Sequence, residues 1–184
     1  MSISKVANRY ADSFLANAIE KGILDEITND VNFILNVINS SDELQRFLAS
    51  PIIKTELKKS ILREIFADNT SAHTLKFLEF VVDKKREDIL IQIFEKFIEL
   101  KDDYLGIVRL DIKSAFPLSE DLKEILLKKF ESIFNKKIEA VFSQEDNLIG
   151  GFLVKYRDTV YDASIKHQLE KLKQNLISGS LSLN

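Results

Sequence analysis

Cysteine and tryptophan are absent from this 184-residue chain, methionine occurs once and histidine twice. Without thiols there is no disulfide, no thiolate metal site and no cysteine nucleophile. Zinc and iron sites gather several His or Cys at short spacing. The two imidazoles here, His73 and His167, lie on separate segments that read as helices. Both are expected to be surface histidines, with no metal and no cofactor bound.

Long apolar runs are missing too. The longest stretches without charge, residues 31–41 and 174–184, span 11 residues and contain Asn, Ser or Gly, whereas a membrane-spanning helix needs about 20 apolar residues. The opening MSISKVANRY has no apolar signal core and no small-residue cleavage site, so the chain is expected to stay in the cytosol. An excess of positive charge is equally absent. Residues 1–104 hold 14 Lys+Arg against 18 Asp+Glu, and residues 105–184 hold 12 against 11. Phosphate binding calls for a basic face, so no nucleic-acid partner is expected.

What is present is periodicity. Ile3, Val6, Ala7, Tyr10, Ala11, Phe14, Leu15 and Ala18 recur at three- and four-residue steps, which predicts an amphipathic helix that Gly22 stops. A second helix carries Ile27, Val31, Ile34 and Ile38. Ser40 with Glu43 offers a capping box for a short third one, and Ser50-Pro51 breaks the pattern. Leu57, Ile61, Leu62, Ile65 and Phe66 mark a fourth helix. The fifth, residues 75–82, reads LKFLEFVV, apolar over more than half its circumference, which suggests that something beyond its own bundle covers it. After the charged turn 83–88, a sixth helix carries Ile89, Leu90, Ile93, Phe94, Phe97 and Ile98. Six short helices make a compact bundle.

Beyond Gly106 the period changes from 3.6 to 2. Val108, Leu110 and Ile112 alternate with other residues, the mark of a strand. A helix over 119–134 follows, then a strand over 138–142 and a hairpin of 151–155 with 159–161. A last helix, 162–177, has Ile165, Leu169, Leu172 and Leu176 at steps of 4, 3 and 4, a narrow stripe close to a coiled-coil seam. The tail SGSLSLN is expected to fray. The fold class is α+β, mainly α: a six-helix bundle over residues 1–105, then a small mixed α/β domain over 106–184.

No constellation for catalysis stands out. The carboxylates fall on polar helix faces rather than in pairs, so no active site is expected. Gly150 and Gly151 lack the lysine and the longer glycine pattern of a phosphate loop and precede a strand rather than a helix. They are read as a structural turn, giving the backbone positive φ or admitting a neighbouring chain closely. The 13 Phe are spread along helical stripes and read as core rather than as a stacking platform for bases.

Several segments, in order, resemble the delta subunit family of bacterial F-type ATP synthases, relatives of the mitochondrial oligomycin-sensitivity-conferring protein. They are Arg9-Tyr10-Ala11 with Phe14 and Ala18; Phe47-Leu48-Ala49-Ser50-Pro51 followed by Lys58; and Lys85-Arg86 before Ile89. Most specific are Ser114-Ala115-Phe116-Pro117-Leu118, then Asp146-Asn147-Leu148-Ile149-Gly150-Gly151-Phe152, then Tyr161-Asp162-Ala163-Ser164-Ile165 with Leu169. Two positions depart from the family pattern: Asn135 and Ala163 stand where Gly is usual. Asn tolerates positive φ, and Ala is the better helix former.

The resemblance implies a non-catalytic stator adaptor at the cytoplasmic face of the inner membrane. Its N-terminal domain would receive the N-terminal helices of the alpha subunits on top of the catalytic head. Its C-terminal domain would hold the membrane-anchored b subunits, coupling proton-driven rotation to ATP synthesis. The expected alpha-subunit groove lies between the first and fifth helices, with Ala7, Ala11, Phe14, Ala18, Leu78 and Val81 as contacts. The expected b-subunit contacts are Ile165, Leu169, Leu172 and Leu176. The chief alternative is a helical RNA-binding factor resembling the transcription antitermination proteins, which the acidic N-terminal half disfavours; an unrelated scaffold is a second.

Overall fold

A computed structural model describes residues 3–180, with side chains through residue 176. The order is α1 (Ile3–Glu20), α2 (Leu24–Asn39), α3 (Asp42–Ala49), α4 (Thr55–Phe66), α5 (Ala72–Asp83), a 3-10 turn (Glu87–Ile89) and α6 (Leu90–Leu105). Then come β1 (Ile107–Ser114), α7 (Glu120–Phe134), β2 (Lys137–Gln144), β3 (Phe152–Tyr156), β4 (Thr159–Asp162) and α8 (Ile165–Ser180). The chain is thus mainly helical with one small sheet. Of the tail expected to fray, residues 178–180 continue α8, and residues 181–184 lie outside the described residues.

The chain forms two compact units that divide between Lys101 and Asp102, inside the last turn of α6 rather than at the change of period near Gly106. Arg109 Nε donates to Asp102 Oδ2 at 2.7 Å and Arg157 Nη2 donates to Asp103 Oδ2 at 2.6 Å, so the end of α6 is tied to β1 and to the turn between β3 and β4. The Arg157 hydrogen bond and charge, with Lys136 contributing less, hold the Asp103 carboxyl below its ordinary range.

The N-terminal unit buries one continuous core. Ile27, Val31, Ile34 and Ile38 of α2 meet Leu62 and Phe66 of α4, Leu78, Val81 and Val82 of α5, and Leu90, Ile93, Phe94 and Phe97 of α6. Aromatic packing joins α1 to this centre. Phe14 stacks on Phe77 at 3.9 Å and meets Phe97 at 5.3 Å, so Phe14 and Phe97 are core as expected, with Phe77 partly buried beside them.

Two buried polar residues lock helices that apolar packing alone would leave free to slide. Asp30 on α2 accepts from the Ser71 backbone N–H at 2.9 Å and from Thr74 Oγ1 at 2.6 Å, fastening the start of α5. Ser71 also caps α5, its hydroxyl accepting from Thr74 N. Lys58 on α4 is almost wholly buried; its Nζ donates to the Leu48 carbonyl at 2.8 Å and to Glu87 Oε1 at 2.6 Å. One cation thus binds the end of α3 to the 3-10 turn. The Ser40–Glu43 capping box is not formed. Ser41 is the N-cap of α3 and accepts from Leu44 N, while Ser40 ends α2 and donates to the Val37 carbonyl.

In the C-terminal unit the strand order is β2-β1-β3-β4. β1 and β2 run parallel, with α7 as the crossover, and the β1–β3 and β3–β4 pairs are antiparallel. Val108, Leu110 and Ile112 are buried with Ile138 and Val154. Asn135 adopts the left-handed conformation at the end of α7 (φ 50°), the geometry expected of it. No residue of α7 is fully buried, so this unit's core is thin.

Replacing Lys58 by Met leaves the Glu87 carboxylate buried beside no cation and is expected to destabilise by about 3–5 kcal/mol. The double change Lys58→Met with Glu87→Leu should recover much of that loss. Chemical denaturation of the two variants checks it; an additive double variant would show that the residues do not act as a pair.

Candidate docking surfaces

The six residues expected to contact a partner between α1 and α5 are core. Ala7, Ala11, Phe14, Ala18, Leu78 and Val81 are at most 4% exposed, so none offers a surface. The physical reason is the small side chains themselves: Ala7, Ala11 and Ala18 let α1 sit close against the bundle, which turns that stripe inward. The excess apolar character of residues 75–82 is largely spent inside as well, through Leu78, Val81 and Val82.

A groove does lie between these helices, one face further round. It encloses about 380 Å³ and is lined by Val6, Arg9, Tyr10 and Ser13 of α1 with Phe77, Phe80 and Arg86. Tyr10 and Phe80 form its aromatic rim, 5.9 Å apart, and Phe80 is 47% exposed. Lys84 Nζ lies 5.5 Å from the Phe80 ring centre. The sequence signal for Phe80 was its place three residues beyond Phe77, which keeps both on one side of α5. Nothing in the pattern separated the inward members of the stripe from the outward ones.

In the C-terminal unit the seam is open. Ile165, Leu169, Leu172 and Leu176 are 46–67% exposed along α8. Between α7 and the sheet runs a second apolar groove of about 560 Å³, whose walls include Ile125, Phe130 and Ile133 of α7 and Leu110, Val154 and Tyr161 of the sheet. Ile125 and Ile133 are 60% and 63% exposed, while Phe130 is partly buried against the sheet core. The strands on this side of the sheet, β3 and β4, are short, five and four residues.

Gly150 and Gly151 set the base of α8. Gly151 has φ +81°, and a Cβ there would lie 2.4 Å from the Ala163 carbonyl oxygen and 2.9 Å from Ser164 Cα. A Cβ on Gly150 would meet Ile165 Cδ1 at 2.5 Å. The Ile165 N–H donates to the Gly150 carbonyl at 3.0 Å and Ala163 N–H to Phe152 O at 3.0 Å. Both readings of the pair therefore hold: a left-handed backbone and a close neighbouring chain. Asp162 closes the junction, its Oδ1 accepting from Ser164 N at 2.8 Å. The hydrogen bonds from Ser164 draw its carboxyl below the ordinary aspartate range.

His73 and His167 are both exposed. Among the described residues no group of three or more His, Cys, Asp or Glu is placed to hold a metal, and no helix is long and apolar enough to cross a membrane.

The family model for the ATP synthase delta (OSCP) subunit matches residues 6–176. The ATP synthase subunit delta of Chlorobaculum tepidum is 37% identical over 97% of this chain and 98% of its own length; that of Chlorobaculum parvum is 39% identical over the same shares. In fold, the chain is similar to one in the structure of the Toxoplasma gondii mitochondrial ATP synthase hexamer, with a TM-score of 0.71 at 19% identity, covering 93% of this chain and 97% of that one.

Gly151→Ala is expected to cost about 1–3 kcal/mol through the positive φ alone, and more because its Cβ meets fixed backbone. Thermal unfolding should show the loss. Gly150→Ala meets only the flexible end of Ile165 and should cost less, so equal losses at the two positions would contradict the assignment.

Proposed function

The chain belongs to the ATP synthase delta (OSCP) subunit family, and we propose that it joins the catalytic head to the membrane-anchored b subunits through two surfaces on separate units. As a member of that family it is a non-catalytic subunit of the ATP synthase stator, part of a membrane-associated complex. The comparisons lend no support to the RNA-binding alternative.

On our reading, an N-terminal helix of an alpha subunit lies in the α1/α5 groove against Val6, Tyr10, Phe77 and Phe80, and b-subunit helices pack along Ile165, Leu169, Leu172 and Leu176 at the cytoplasmic face of the membrane. The observation that carries it is the regular exposed seam of α8, four large aliphatic residues on one helical line, each 46–67% exposed. A helix of this length is marginal in water on its own, and a helical partner laid along the seam would bury the stripe. The mechanical role needs no chemistry. The adaptor holds the head against the torque of the rotor, and release at either surface would let the head turn and uncouple proton flow from ATP synthesis.

Because the surfaces lie on different units, they should fail separately. Phe80→Glu in the full chain is expected to abolish binding to head complexes and leave binding to the soluble part of the b dimer intact. Leu169→Glu with Leu172→Glu should do the reverse. All three positions are exposed, so the thermal transitions should shift little. Gel filtration of each variant with each partner is the test; loss of both bindings from either variant would overturn the division.

A further inference from the structure

The α1/α5 groove carries two guanidinium groups without an ionic partner. Arg9 and Arg86 both line it, both are exposed, and neither forms an ion pair with any described residue. Three acidic residues close to Arg86 in sequence pair with other cations. Glu79 accepts from Arg63 at 2.5 Å, Asp83 pairs with Lys59, and Glu87 is held by Lys58 at 2.6 Å. The Arg63 hydrogen bond and charge keep the Glu79 carboxyl low, which holds it in its own pair. Asp12, one turn beyond Arg9 on α1, and Asp88 pair with neither arginine.

The result is a local reversal of sign. The N-terminal half carries four more acids than bases, yet this end of the groove presents Arg9 and Arg86 with Lys84 beside Phe80. The backbone of Arg86 is fixed, its N–H donating to the Val81 carbonyl at 3.1 Å and its carbonyl accepting from Ile89 N at 3.2 Å. One of the two cations is therefore presented from an ordered turn.

We infer that Arg9 and Arg86 form a carboxylate clamp, and that the helix seated in this groove bears Asp or Glu flanking its apolar stripe. The inference rests on the helix-in-groove reading above and adds the charge that selects the occupant. The floor and rim, Val6, Tyr10, Phe77 and Phe80, accept apolar side chains. The guanidinium fork matches carboxylate geometry better than a lysine ammonium does. A polyanionic nucleic acid is the poorer fit because the surrounding acidic surface repels it. The clamp costs the free chain nothing in desolvation, since both arginines stay solvated until the partner arrives.

The test uses the full chain and a fluorescently labelled peptide of the N-terminal segment of its own synthase's alpha subunit, beside the same peptide with every Asp and Glu converted to Asn and Gln. The acidic peptide is expected to bind at least about tenfold more tightly at low salt, with the advantage shrinking as ionic strength rises. Arg9→Gln and Arg86→Gln should each lose most of that advantage and leave the amidated peptide's affinity unchanged, while Arg9→Lys retains part of it. Both arginines are exposed, and unchanged thermal transitions will confirm folding of the variants. Equal binding of the two peptides, or an advantage that survives in the double Gln variant, overturns the clamp and leaves the groove reading standing. Binding of neither peptide overturns the groove reading and the clamp with it.

Discussion

The contact between Gly151 and the Ala163–Ile165 backbone governs how the C-terminal unit presents itself. A Cβ at residue 151 would lie 2.4 Å from a carbonyl oxygen, nearer than any side chain tolerates, so the chain passes here only as glycine. That passage brings residue 163 beside Phe152 and places the first N–H of α8 on the Gly150 carbonyl. The helix is thereby launched from a fixed point. With its base pinned at this junction, α8 leaves its stripe exposed along the seam.

The N-terminal unit is held by the opposite device. Its helices are short, and an apolar interface between short helices tolerates sliding by a turn. Asp30 and Lys58 remove that freedom because each demands specific partners: Asp30 the Ser71 N–H and Thr74 hydroxyl, Lys58 the Leu48 carbonyl and Glu87. Buried charge contributes little net stability, but a misregistered bundle that left it unpaired would be heavily penalised. The C-terminal half of α5 lines the groove through Phe77 and Phe80, and the helix is anchored at its start through Ser71 and beyond its end through the turn that Lys58 and Glu87 secure. A partner seated there would meet a preformed cleft, and less ordering entropy would be lost on binding.

Helices, strands and turn glycines were legible in the sequence because periodicity and local sterics determine them. The 3.6 period located all six N-terminal helices, and the alternation of Val108, Leu110 and Ile112 located the central strand. Which side of a greasy helix faces inward was not legible. Leu78 and Phe80 are two residues apart on α5, one fully buried and the other half exposed, and only the packing of α1 decides between them. Ala7, Ala11 and Ala18 left room for close approach, but the element that approaches is the bundle itself. Buried charge was equally hidden: Asp30 and Lys58 look like any surface residue until Thr74 and Glu87, 44 and 29 positions away, are folded against them.

The two units differ in how much they can hold in reserve. The N-terminal one buries its aromatics and aliphatics around one centre. The C-terminal one buries five apolar strand residues, covers them with a helix that has no fully buried residue, and leaves the α8 leucines in water. Small domains with so little apolar burial are marginal, and a ligand that binds only the folded form stabilises it by mass action. An occupant along α8 or in the α7 groove would supply apolar contacts that the unit lacks, so folding of this unit and its occupancy are thermodynamically linked. The N-terminal unit needs no such help, which is consistent with a surface that selects by charge at its rim rather than by apolar area alone.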